Sequence, residues 1–165
     1  MKNILLVALC FVLTACGFQL RGQASLPFKT IYVSFPVGHP IGMDVRRLIQ
    51  AGTTPRGVGK AKDAQATLDI ISVVNDKQIM SVSGGGRVRE FELRYRVSFR
   101  LYDAKGVDLI PTNEIALRRI IPYTDAQVVA KEGEEAMLVR EMQNDSAEQI
   151  LRRLEAVKVA PAKSS

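Results

Sequence analysis

The run Val88-Arg89-Glu90-Phe91-Glu92-Leu93-Arg94-Tyr95-Arg96-Val97-Ser98-Phe99-Arg100-Leu101-Tyr102 decides the fold. Phe91, Leu93, Tyr95, Val97, Phe99 and Leu101 alternate without a break against Glu90, Glu92, Arg94, Arg96, Ser98 and Arg100. A period of two belongs to a strand, so one face is core and the other is charged and wet. Before it, Gly84-Gly85-Gly86 offers the positive φ angles that a tight or bulged hairpin needs. The partner strand is Leu68 to Val82, interrupted at Asn75-Asp76-Lys77, where a bulge is expected. After it, Asp103-Ala104-Lys105-Gly106 makes a second turn, leading to a strand from Glu114 to Ile121 that stops at Pro122.

Further out, Thr30-Ile31-Tyr32-Val33-Ser34-Phe35 is β-branched and aromatic and ends at Pro36, a first strand. Pro40 and Gly42-Met43-Asp44 open a helix with Val45, Leu48 and Ile49 on one side and Gly52 as its stop. A polar connection covers Thr53 to Asp63. The last element is a helix from about Glu134 to Ala156, with Leu138, Val139, Met142, Ile150 and Leu154 on one arc and Ala147 at its margin. Thr124 with Gln127 suits the cap of a short preceding turn, and Gly133 puts the main helix after it. The expected fold is α+β: a two-layer sandwich in the order β-α-β-β-β-α, with a four-stranded, mainly antiparallel sheet and two helices packed on one face.

The N-terminus carries a different kind of signal. Lys2 precedes the apolar run Ile4 to Leu13, which is too short for the ~20 residues a bilayer span needs. Leu13-Thr14-Ala15-Cys16 resembles the lipobox at which bacterial lipoproteins are cleaved and acylated. The resemblance implies a signal peptide at 1–15, with Cys16 as S-diacylglycerol and N-palmitoyl cysteine. Several chains together anchor a protein almost permanently. Gly17, where an Asp would mark inner-membrane retention, favours the outer membrane. The expected organisation is a lipidated tether at 16–28, one domain at 29–157 and a flexible tail at 158–165.

Composition narrows the chemistry. Removing residues 1–15 leaves 150 residues, one ordinary domain, with Cys10 gone and Cys16 consumed by lipid. With one histidine, His39, and no free thiol, no His/Cys cluster exists for a metal, and no cofactor is expected. Gly52 to Lys60 fails as a phosphate-binding loop, since Val58 stands where a lysine should follow the second glycine. Glu90 and Glu92 share a strand face with Arg94, Arg96 and Arg100 and read as charge balance rather than an acid and base. No Gly-x-Ser-x-Gly turn appears, so an enzyme is not expected.

What remains is positive charge on a tethered module. The chain has 23 Lys and Arg against 17 Asp and Glu, and loss of Lys2 leaves an excess of five. Such a balance favours anionic partners, which in the periplasm are phosphorylated lipids, anionic glycolipid and acidic protein surfaces rather than nucleic acid. Arg87, Arg89, Arg94, Arg96 and Arg100 stand on or beside the hairpin, Arg118 and Arg119 on the next strand, and Lys131 ahead of the last helix.

The peptide Cys16-Gly17-Phe18-Gln19-Leu20-Arg21-Gly22 is similar to the mature start of the LPS-assembly lipoprotein family, the small subunit of the outer-membrane lipopolysaccharide translocon. Leu138-Val139-Arg140-Glu141-Met142 and Ala147-Glu148-Gln149-Ile150-Leu151-Arg152-Arg153-Leu154 resemble that family's last helix. The resemblance implies a non-catalytic protein inserted as a plug and folding aid in the lumen of a large partner, the LPS-assembly β-barrel protein. It also implies lipopolysaccharide binding and anchoring to the outer membrane on its periplasmic side. Lys131 matches the family's lipopolysaccharide contact by its local sequence. Arg87, with Arg89 nearby, is the hairpin counterpart, although glycines occupy the turn itself. The alternative is a periplasm-facing lipoprotein adaptor that docks by a sheet edge onto another envelope machine.

Overall fold

The computed structural model describes residues 25–52, 54–123 and 128–157, with side chains of 25, 54–56 and 128–132 outside the description. Residues 1–24 and 158–165 also lie outside it, and with them the expected signal peptide, Cys16 and the expected tail. Five strands, β1 (Ser25–Ser34), β2 (Thr54–Gly57), β3 (Ala66–Val82), β4 (Val88–Asp103) and β5 (Asp108–Pro122), form one sheet in the order β2-β1-β3-β4-β5. Helix α1 (Ile41–Ala51) crosses between β1 and β2, and α2 (Val128–Glu155) follows β5. β1 runs parallel to β2 and β3, while β3, β4 and β5 form the long antiparallel ladders that dominate the sheet. This is the α+β sandwich expected, with one short strand more than four.

The extra strand had no pattern to betray it. Thr54-Pro55-Arg56-Gly57 pairs with β1 at the edge of the sheet, the one place where a proline costs no ladder bond. β5 likewise starts six residues earlier than expected and runs through Pro111, again on an edge. The interruption at Asn75-Asp76-Lys77 is no bulge. These residues pair in order with Tyr95, Arg94 and Leu93, and the extra residues of β3 are Ile71 and Met80. Polarity alone does not break a ladder, whereas an odd count between paired residues does. Nor does Gly133 delay the last helix, which begins at Val128. A mid-helix glycine costs about 1 kcal/mol relative to alanine, and a long helix held by tertiary packing tolerates that. The expected cap at Thr124 and Gln127 lies outside the described residues.

The alternating strand sets the core. Leu93, Tyr95, Val97, Phe99 and Leu101 are all buried, joined by Ile31 and Val33 of β1, Leu68 and Ile70 of β3, and Ile115 and Ile121 of β5. Helix α1 contributes Ile41, Val45 and Ile49, and α2 contributes Met142, Ala147, Ile150 and Leu154, so both helices cover the same face. β1 begins before the β-branched run, with Leu26 and Phe28 buried. Its irregularity near Lys29 is bridged by Gln65, whose Oε1 accepts from the Lys29 amide at 2.8 Å.

Two local contacts position α1. Phe35 lies so close to Gly42 that a Cβ there would stand 2.0 Å from the ring, so only glycine fits. Arg46 stacks on the same ring and donates from Nη2 to the Val33 carbonyl at 3.2 Å. The helices are clasped by buried Asp44, which accepts a hydrogen bond from Gln143 Nε2. Burial, and then the Asp44 carboxylate, push the Tyr95 hydroxyl up to about 12.

Among the described residues, no helix lies on the opposite face. Arg100 meets Asp69 at 3.4 Å, and Glu92 takes Arg94 at 2.5 Å and Arg118 at 3.8 Å. On the helix side, Arg119 of the edge strand reaches Asp145 at 3.1 Å and Glu141 at 3.8 Å.

Candidate functional site

The β3–β4 hairpin closes through Ser83. Its amide donates to the Arg87 carbonyl at 2.7 Å, its carbonyl accepts from the Gly86 amide at 2.9 Å, and its Oγ accepts from the Arg87 amide at 3.2 Å. Only Gly86 of the three turn glycines has a positive φ, 77°. The turn therefore needs one glycine, and the other two leave the tip unencumbered by side chains. Arg87 stands at that tip, exposed.

Two residues on, the ladder slips. Ser81 pairs with Glu90 and Val82 with Val88, so Arg89 is an extra residue on β4. Its carbonyl accepts from the Tyr123 amide at 2.7 Å, which ties the chain leaving β5 to the hairpin. Phe91 and Tyr123 pack edge to face at 5.2 Å. Between these segments lies an open cleft of about 480 Å³ lined by Ser81, Val82, Arg89, Glu90, Pro122 and Tyr123. Within it Glu90 accepts from Ser81 Oγ at 2.6 Å.

The structure divides the arginines that the sequence presented as one set. Arg94, Arg100, Arg118 and Arg119 are held in ion pairs. Among the described residues, Arg87, Arg89 and Arg96 have no carboxylate within pairing distance. Arg96 is on the uncovered face, opposite Val74 and Ala116. Arg87 and Arg89 are together at the hairpin end.

Lys131 falls in the first turns of α2, and its side chain is outside the described residues. The backbone route still carries it towards this end of the sheet. β5 finishes at Pro122 opposite Glu90, five residues before α2 begins, and Glu135, one turn beyond Lys131, pairs with Lys77 of β3 at 2.5 Å. Lys77 also sits 4.3 Å from the centre of the Phe91 ring. Sequence reading missed Lys77 as a member of this cluster because it took the polar triplet for a bulge. It missed Tyr123 because nothing in sequence joins a residue after β5 to the β3–β4 turn.

Chemically, the end offers unpaired guanidiniums beside aromatic and aliphatic surface. Guanidinium forks suit phosphate oxygens. Among the described residues, no group of three His, Cys, Asp or Glu is arranged to hold a metal ion, and no helix is long and apolar enough to cross a membrane.

Comparison with known proteins agrees with the fold. The chain is 27% identical over 168 residues to the LPS-assembly lipoprotein LptE of Yersinia pestis (strain Pestoides F), covering 98% of this chain and 79% of that one. The solution structure of an uncharacterized lipoprotein B from Nitrosomonas europaea superposes with a TM-score of 0.74 at 48% identity, over 85% of this chain and 91% of that one. The rare lipoprotein B of Shewanella oneidensis shares the fold, with a TM-score of 0.65 at 24% identity over 76% and 92% of the two chains. A family model described as LptE, Lipopolysaccharide-assembly, matches residues 28–154, from buried Phe28 in β1 to buried Leu154 in α2. The chain therefore belongs to the lipopolysaccharide-assembly family, LptE.

Proposed function

We propose that this protein is a non-catalytic, lipid-anchored component of lipopolysaccharide assembly at the outer membrane. In this reading it binds lipopolysaccharide at the hairpin end and sits in the lumen of the LPS-assembly β-barrel as a plug. The observation that carries it is the pair of unpartnered guanidiniums, Arg87 and Arg89, beside the cleft at the end of the sheet to which α2 returns. Lys131 joins them as the third cation for the phosphates of the glycolipid head.

Residues 1–15 are removed as signal peptide, Cys16 carries the lipid, the residues after it lead into β1, which begins at Ser25, and 158–165 form a tail. The direction of the strands supports this arrangement. β1 pairs in parallel with the first residues of β3, so Ser25 lies at the end of the sheet away from the hairpin. β3 has 17 residues, which span roughly 50 Å at the rise of a strand. An anchor attached ahead of Ser25 leaves the cationic end free to meet a ligand away from its own attachment point.

A plug also needs a polar outer surface to suit a polar barrel interior, and the uncovered sheet face, with its Glu92, Arg94 and Arg118 cluster, has that character. The adaptor alternative requires a free edge that can take up a strand. β5 is such an edge, but Pro111 supplies no amide there and the register slips near Leu109.

The test is extraction of the full chain from membranes in mild detergent and identification of what accompanies it. A large β-barrel of the LPS-assembly type is expected. Recovery with a different envelope complex and no barrel would overturn the plug reading.

A further inference from the structure

We propose that the exposed apolar tract Ile79, Met80 and Val82 at the end of β3 is an acyl-chain contact surface, which takes the hydrocarbon side of the phosphorylated glycolipid whose head the adjacent guanidiniums hold. The inference rests on the reading of this end as the lipopolysaccharide site and specifies which part of the ligand meets which residues.

Three large apolar side chains within four residues are exposed by 59%, 53% and 56%. A regular strand would hide every second one. Here the extra residues Met80 and Arg89 break the alternation on both strands of the hairpin. The Phe91–Tyr123 pair borders the tract, with Phe91 directly opposite Ile79. Contiguous apolar surface of this kind gains free energy when an apolar partner excludes water from it.

Charge complementarity selects the partner. Arg87 flanks the tract on the turn and Arg89 on the facing strand, neither of them paired with a carboxylate among the described residues, while Lys77 lies over the Phe91 ring. The carboxylates nearby are engaged, Glu90 by Ser81 and Glu135 by Lys77. A water-soluble phosphate would use the cations and leave the aliphatic side chains idle, and a neutral lipid would do the reverse. An amphiphile with phosphate next to acyl chain uses both.

The experiment compares two ligands on the full lipidated chain in neutral detergent: a phosphorylated, acylated glucosamine disaccharide and the same headgroup with its acyl chains removed. The variant combining Ile79→Ser, Met80→Ser and Val82→Ser is expected to lose at least about tenfold in affinity for the acylated ligand. Its affinity for the deacylated headgroup and its thermal melt should match the parent, and leucine at the same three positions should retain parental binding. Parental affinity of the serine variant for the acylated ligand would overturn the proposal alone. So would an equal loss for both ligands, or loss of barrel co-purification with lipid affinity intact, which would make the tract a protein contact. Failure of the parent to bind either ligand would instead remove the lipopolysaccharide-binding reading beneath it.

Discussion

Leu68 and Ile79 lie on one strand and on the same side of one sheet, yet Leu68 is fully buried and Ile79 is more than half exposed. The two halves belong to one continuous antiparallel β3–β4 ladder. They differ in what lies above them. The described residues of α2 that join the core run from Leu138 to Leu154, and α1 covers the β1 side. The near half is therefore under both helices. The far half projects past those core-forming turns with Ile79, Met80 and Val82 exposed and, among the described residues, Arg87 and Arg89 unpaired. One half of the ladder stabilises the fold, and the other presents a surface.

That contrast is easiest to break in the covered half. Val97→Asp places an unpaired carboxylate in the centre of the core and should prevent folding, and Leu93→Ala should cost about 2 to 5 kcal/mol. Denaturant melts measure the second directly. The same truncation in the far half, Ile79→Ala, should stay within about 0.5 kcal/mol. Similar losses at both positions would mean that the two halves are equally covered.

A smaller effect is expected where α1 meets the end of β1. Gly42→Ala pushes a methyl into the Phe35 ring, and overpacking of that kind costs about 1 to 3 kcal/mol. An unchanged melting midpoint would show that the ring moves aside freely. The smallest effect at neutral pH, and a distinct one at high pH, belongs to Tyr95. Unfolded tyrosine ionises near 10, whereas Tyr95 in the fold keeps its proton to about 12. The unfolded chain loses the proton first, so the stability this residue contributes is complete below about pH 10. It declines as pH rises towards the folded value. Tyr95→Phe should remove that alkaline decline in melts taken from pH 9 to 12, and an identical pH profile would disprove the assignment.

The fold was legible in sequence because its organising strand alternates over twelve residues, Glu90 to Leu101, a pattern with one physical reading. The helix arcs and the Asp103 turn followed from the same logic. β2 was not legible, since Thr54 to Gly57 pairs only because β1 offers it an edge. The bulges at Ile71 and Met80 were not legible either, because a bulge is a count between two strands and leaves no mark on one of them. At the site, the positions of Arg87 and Arg89 could be read from the hairpin. Their lack of partners could not. Arg118 finds Glu92 on the neighbouring strand β4 and Arg119 finds Asp145 on α2, pairings that long-range register alone determines.

The account stands most directly on lipopolysaccharide binding by the full chain at low ionic strength, compared between the parent and the variant with Arg87→Glu, Arg89→Glu and Lys131→Glu. The expected result is a marked loss of affinity with an unchanged melt, and a parental affinity that itself weakens as added salt screens the contacts. If the reversed protein bound lipopolysaccharide as the parent does, these cations would be ordinary surface charge, and the hairpin end would not be the binding site.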